Sequence, residues 1–302
     1  MQKISYAVIN YIKKEKIMNG IILIDKPQNY TSHDIVAIIK RITKEKVGHT
    51  GTLDPNATGV LPLLIGKATG ISKYLINHDK IYVATLKLGI KTDTADGEGK
   101  IVEKKEVPIL SKEIIEGILQ NMCGKQTQIP PMYSAIKVNG KKLYEYARQG
   151  KEIHVSSRNI EIYQMKLIEF NKEKMEVTFE INCSKGTYIR TICETIAENL
   201  NTVGYMKELR RTKVGDFKIQ NAISIEDIKK DSALLEKNIL SIEQFFEKNK
   251  IIELTKKENA SFLNGVQLKK EEENGLYRIY SQNCFVGLGI ITNRYLKRDV
   301  IV

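Results

Sequence analysis

The sequence predicts an α+β protein with a small β unit at its C-terminal end, and three observations carry that prediction. Met175, Val177, Phe179, Ile181 and Cys183 alternate strictly, the mark of a half-buried strand. Ile35, Ile38, Ile39 and Ile42 recur with the spacing of one buried helix face. Strands and helices then follow one another without a regular β-α-β rhythm and without an internal repeat, which sets aside a doubly wound parallel sheet.

The elements follow in order along the chain. Residues 1–17 read as an N-terminal extension with scattered Lys and no long apolar core, which argues against a secretory signal. Met18-Asn19-Gly20 is a plausible second beginning, taken here as the biological start. IILIDKP after it predicts a short buried strand that stops at Pro27. Thr31, with Asp34 three residues on, is a helix-starting signature. From Gly48 to Gly66 four glycines and two prolines predict a long structured loop. Alternation resumes at Tyr82, Ala84, Leu86 and Leu88. A helix is then signalled by Ser111 as cap, by Ile114, Ile115, Ile118, Leu119 and Met122, and by Gly124 as stop. The strand ending at Cys183 delivers a Ser184-Lys185-Gly186-Thr187 turn and then a helix with Ile189, Ile192, Cys193, Ile196 and Leu200 inward. The polar stretch from Lys229 to Lys250 predicts a boundary, and Leu276 to Val302 reads as short strands. The expected division is 1–17, 18–245 and 246–302.

At 302 residues the chain has room for roughly two domains of ~150 residues. No apolar run approaches the ~18 residues of a membrane span, so no membrane partner is expected. The four cysteines stand far apart with no C-x-x-C pair, which argues against a disulfide framework or a zinc knuckle and fits a reducing, cytoplasmic location. Lys plus Arg number 48 against 36 Asp plus Glu, a net charge of +12. Such an excess favours polyanions, nucleic acid before membrane, although a merely solvated basic face has the same composition.

Several chemistries are excluded by spacing. Six residues separate Gly59 from Gly66-Lys67, and Ala68 follows, so the phosphate-loop pattern fails twice. No G-x-G-x-x-G follows a strand. The acids of Asp93-Thr94-Ala95-Asp96-Gly97-Glu98 lack calcium-loop spacing. His33, His49, His78 and His154 are too dispersed for a metal helix motif. No metal and no cofactor are expected.

What remains is the loop His49-Thr50-Gly51-Thr52-Leu53-Asp54-Pro55. Read alone, Asp54 is a turn-forming Asp whose carboxylate accepts local N–H bonds. Tyr188 and Arg190 change the balance, because they fall in the first turn of a helix, beside its partial positive charge. An Arg there is suited to hold a carboxylate through two parallel hydrogen bonds. The bland alternative is a surface Arg worth little.

With these segments in view, the chain resembles the bacterial tRNA pseudouridine-55 synthases, the TruB family. The carriers are NGIILIDKP with TSHD, GHTGTLDPNATGVLPLLIGKAT, KIYVATLKLGIKTDTADGEG, QIPPMYSAIKVNGKKLYEYARQG, and CSKGTYIRTI with LRRTKVG. The likeness is strong over 18–215 and weak in the tail. Asn29 departs from the family's Gly in the KP-x-G-x-TS turn, and Asn tolerates positive φ best after Gly.

The resemblance implies a mixed, mainly antiparallel central sheet flanked by helices and loops, with a small PUA-like RNA-binding tail. It implies isomerisation of uridine-55 in the tRNA T loop; guide-RNA-dependent relatives share the Asp loop, and the compact chain without long basic extensions points to a monomer that needs no guide RNA. Asp54 is then the indispensable carboxylate, which attacks C1′, attacks C6 or removes a ribose proton. Arg190 pairs with it, Tyr82 stacks on the target base and assists at C5, Tyr188 is a second pocket Tyr, and Leu209 an apolar wall. His49 holds the flipped nucleotide, with Thr52 of the same loop in the substrate-binding set. Lys26, Lys141, Lys142, Arg148, Arg210 and Arg211 are candidate phosphate contacts. Tyr133, Tyr144 and Tyr146 are expected in the core. The competing readings are an RNA-folding chaperone and a carboxylate glycoside hydrolase, which needs a second acid.

Overall fold

β1 (Gly20–Lys26) forms where IILIDKP predicts it and ends before Pro27. The computed structural model describes residues 18–151 and 153–302. The expected N-terminal extension at 1–17, and with it the reading of Met18 as the start, turns on residues outside the described ones. α1 (Ser32–Thr43) opens with a full capping box: Thr31 Oγ1 accepts the Asp34 N–H at 3.0 Å, and Asp34 Oδ2 accepts the Thr31 N–H at 2.8 Å. Asn29 stands at φ 67°, the left-handed conformation that its place in the turn requires.

Segment 48–66, expected as one loop, is irregular only between β2 (Val47–His49) and β3 (Thr58–Ile65). Every residue of β3 from Gly59 to Ile65 is buried. A strand covered on both faces shows no alternation, which is why the pattern did not predict it. β4 (Lys80–Leu88) does alternate, with Lys80, Tyr82, Ala84, Leu86 and Leu88 buried. α2 (Lys112–Asn121), β5 (Gly124–Gln128), β6 (Arg158–Asn171), β7 (Glu176–Cys183), α3 (Ile189–Asn199) and β8 (Gly204–Val214) follow.

The strands form one ten-stranded mixed sheet. Its main path runs Ile223–Ser224, β1, β3, β8, β4, β7, β6, β5, with β2 also paired to β3. Only the Ile223–Ser224/β1 and β3/β8 pairs are parallel. The β3/β8 approach depends on Gly59. It sits at φ 111°, and a Cβ there would stand 2.2 Å from the Arg211 carbonyl oxygen. One core, under α2 and α3, joins Leu86, Phe179, Ile192 and Ile196; the other packs α1 through Ile35 and Ile39 onto Ile22, Ile24 and Leu63.

A second, five-stranded sheet occupies the C-terminal end, built on β9 (Gly275–Ser281), β10 (Cys284–Thr292) and β11 (Tyr295–Ile301). It is not loosely tethered. Ile242 and Phe246, from the stretch that reads as polar, pack with Ile21 and Leu64 of the large sheet and with Leu288 and Val300 of the small one. Tyr74 Oη donates to Asp299 Oδ2 at 2.6 Å, and the Lys73 ammonium pairs with the other oxygen of that largely buried carboxylate. Asp299→Ala leaves the Tyr74 hydroxyl without its acceptor and should cost about 1–3 kcal/mol, read as a lower denaturant midpoint. Both sheets should unfold in one transition; two separate transitions in the unaltered protein would contradict a shared core.

Candidate active site

The loop that carries Asp54 is pinned on both sides by the junction of β1 and α1. Ser32 Oγ donates to the Leu53 carbonyl at 3.2 Å and accepts the Leu53 N–H at 2.9 Å. Pro55 O accepts from Lys26 Nζ at 3.1 Å and from the Asn29 N–H at 3.0 Å. Between these pins, Asp54 Oδ2 lies 3.2 Å from Arg190 Nε, in a cleft of about 1180 Å³.

Arg190 comes from the first turn of α3 and is 5% exposed. Its fork does not grip one carboxylate with two parallel bonds, as the sequence suggested. Nε faces Asp54, Nη1 donates to Thr94 O at 3.3 Å and lies 3.7 Å from Asp96 Oδ2, and Nη2 donates to Tyr133 O at 2.8 Å. The guanidinium is a hub between two carboxylates and two carbonyls, and its rigid plane holds Asp54 in one place. Burial in the cleft drives the Asp54 carboxyl above the ordinary carboxylate range. Arg190 pulls it back, Asp96 adds to the rise, and Lys26 opposes it.

Tyr82 is 8% exposed and lines the same cleft. Burial is the main cause that raises its hydroxyl above the usual phenol value, with Arg211 opposing. At neutral pH it is a neutral phenol, and what it offers is a ring face and an O–H donor. Tyr188, half-buried, caps α3 and lines the cleft; its N–H donates to Gln128 Oε1 at 2.8 Å, and its carbonyl accepts from Gln128 Nε2 at 3.1 Å. Leu209 forms part of the apolar wall, and Thr52 stands exposed on the rim.

Several expectations are corrected. Lys26 is fully buried, and its ammonium is spent on Pro27 O, Tyr30 O and Pro55 O at 2.9, 2.7 and 3.1 Å, so it holds the Asp54 loop and is not placed at the surface for a phosphate. Desolvation lowers its pKa to about 8, with Asp54 opposing. Arg211 is 1% exposed, donating to Val60 O and Gly51 O at 2.8 and 3.2 Å, and braces the β3 side of the site. Arg210 is paired with Asp25 at 2.7 Å. His49 sits behind His33, whose ring meets it edge-on at 5.5 Å, and it is His33 that lines the cleft. Burial lowers the His49 pKa, with His33 and Arg211 acting the same way.

Lys141 is exposed on a hairpin outside the cleft, whereas Lys142 and Arg148 line it, both near the face of Tyr144. Tyr133, Tyr144 and Tyr146 are half-buried, not core, and the first two face the cleft. Sequence reasoning passed over Ser32, Gln128, Asp96 and Lys80. Lys80 lines the cleft with a pKa lowered by burial to about 8. Among the described residues no cluster of His, Cys, Asp or Glu could hold a metal, and no helix is long and apolar enough to cross a membrane.

A carboxylate and its arginine partner beside a buried tyrosine, in a cleft with a basic rim, are the parts that carboxylate-dependent chemistry on a polyanion would need. Residues 40–189 match the TruB family pseudouridylate synthase N-terminal domain, and 190–247 the tRNA pseudouridylate synthase B C-terminal domain. The tRNA pseudouridine synthase B of Clostridium tetani (strain Massachusetts / E88) is 42% identical over 93% of this chain and 98% of its own. That of Francisella tularensis subsp. tularensis (strain WY96-3418) is 39% identical over 96% and 99%. Among solved structures, one of an H/ACA RNP bound to a substrate RNA containing 2'-deoxyuridine aligns at TM-score 0.67 and 25% identity, over 95% of this chain and 86% of that one. A Cbf5-Nop10-Gar1 complex aligns at TM-score 0.66 and 26% identity, over 95% and 84%. The chain belongs to the TruB family of pseudouridylate synthases, and its fold is theirs.

Two outcomes follow from the electrostatics. Lys26→Met strands three carbonyls and should cost about 2–3 kcal/mol in urea unfolding; a midpoint equal to the parent's would return Lys26 to the surface role. For Asp54 the raised pKa means that the folded state binds the proton more tightly, so stability drops as pH rises through the folded pKa. Asp54→Asn removes that cost. Its Tm should match or exceed the parent's at neutral pH, the difference vanishing below about pH 4, and calorimetry at both pH values checks it.

Proposed function

We propose that this protein is a stand-alone tRNA pseudouridine-55 synthase, acting in the cytoplasm as a monomer without guide RNA. The observation that carries the reading is Asp54 held 3.2 Å from Arg190 in the cleft that Tyr82 lines. In the reaction the N1–C1′ bond of the uridine breaks and a C5–C1′ bond forms; C5 gives up its proton and N1 gains one. No atom is added and no electron leaves, so no cofactor enters the proposal.

The target base is stacked in free RNA, so it must be extruded before the carboxylate can reach it. Tyr82, Tyr188 and Leu209 then give it walls that exclude water from the bond-broken stage. All three routes from Asp54, attack at C1′, attack at C6 or removal of a ribose proton, need the ionised carboxylate that Arg190 favours. Support for tRNA as substrate comes from the name shared by relatives that align over 98–99% of their own length. Support against a hydrolase comes from the other cleft acids: Asp96 has its Oδ2 toward Arg190, and Glu98 is exposed to solvent.

The test is mass-spectrometric mapping of an unmodified tRNA transcript treated with the purified protein alone. Pseudouridine at position 55 and no free uracil is the expected result; free uracil, or a requirement for added RNA, overturns it. Asp54→Asn should lower turnover by at least about 100-fold and still bind the transcript. Turnover retained in that variant would remove Asp54 from the mechanism.

A further inference from the structure

Arg158 opens β6 and lies over the ring of Tyr188, its guanidinium carbon 5.4 Å from the ring centroid. The turn before Tyr188 is shaped to admit it. A Cβ on Gly186, at φ 82°, would stand 3.2 Å from Arg158 Nη1. The residue opposite Arg158 in the β5–β6 register is Gln128, whose amide holds the Tyr188 backbone by both its N–H and its carbonyl. One cross-strand pair therefore fixes the backbone of Tyr188 and covers a face of its ring.

Arg158 is nevertheless unspent. Among the described residues no hydrogen bond or ion pair engages its five N–H donors. Arg190, Arg210 and Arg211 are each bonded to carboxylates or carbonyls. The cleft carboxylates nearest in function, Asp54 and Asp96, face Arg190. Lys185, on the same wall, has its ammonium on Asn77 Oδ1 at 2.6 Å and adds positive potential there. A weakly hydrated guanidinium over a ring face, with its donors open, suits the oxygens of a phosphodiester.

We infer that Arg158 is an RNA-phosphate-binding residue of this cleft, taking the backbone phosphate beside the extruded nucleotide while its guanidinium stays over the Tyr188 ring. The inference rests on the functional reading above and adds a residue to it. Its test is the binding of an unmodified tRNA transcript across a salt series, with the unaltered protein, Arg158→Gln and Arg158→Lys side by side. Arg158→Gln should weaken binding about 5- to 10-fold and flatten the log Kd against log salt slope by about one. Arg158→Lys should keep the slope and lose only part of the affinity.

If Arg158 merely braces Tyr188, Arg158→Gln keeps Kd and slope and slows only the single-turnover rate, which overturns the inference. Thermal melting of each variant checks that it is folded, and should Arg158→Gln fail to fold, a reduced slope in Arg158→Lys contradicts the phosphate contact. The two readings fail differently. A parent protein that makes pseudouridine while Arg158→Gln keeps its slope sinks this inference alone; a parent that makes none in tRNA sinks both.

Discussion

An ion pair inside a cleft that disfavours charge is the constraint on which the rest depends. In the proposed reaction Asp54 has to be ionised to act, yet the walls of the cleft also raise its affinity for a proton. The Arg190 guanidinium answers this from 3.2 Å, and it can do so only because every one of its nitrogens is engaged. A single-contact lysine would leave two carbonyls and a carboxylate unmatched.

Much of the architecture exists to keep that pair in register. Ser32 and Lys26 hold the peptide groups on either side of Asp54, and Arg211 ties the Gly51 and Val60 carbonyls to β8. On the other side Gln128 fixes the residue that caps α3, two positions before Arg190. These are long-range bonds from buried polar groups, costly to leave unmade. The large sheet thus brings a loop and a helix terminus, more than 130 residues apart in sequence, to hydrogen-bonding distance.

What could be read in the sequence was what local patterns record. The Thr31–Asp34 capping box, the alternation of Tyr82 to Leu88 and the amphipathic helix after Tyr188 are all present. So is the left-handed turn at Asn29. β3 was hidden because burial on both faces erases its period. Lys26 and Arg211 were misplaced because a cation usually marks the surface, and nothing local tells of a buried one paired to carbonyls. Ser32, Gln128 and Arg158 gave no signal, since their partners lie 21, 60 and 30 residues away. Asp54 and Arg190 were legible as a loop acid and a cation in a first helical turn, and motif resemblance joined them, but the sharing of the guanidinium with Asp96 needed three dimensions.

The most direct measurement is the titration of the Asp54 carboxyl by 13C NMR in aspartate-labelled protein, assigned by its loss in Asp54→Asn. The account predicts titration above the ordinary carboxylate value of about 3.9, moving lower in Asp96→Asn as a neighbouring negative charge is removed. An Asp54 that titrates at or below that value in the parent, and stays there without Asp96, would contradict it.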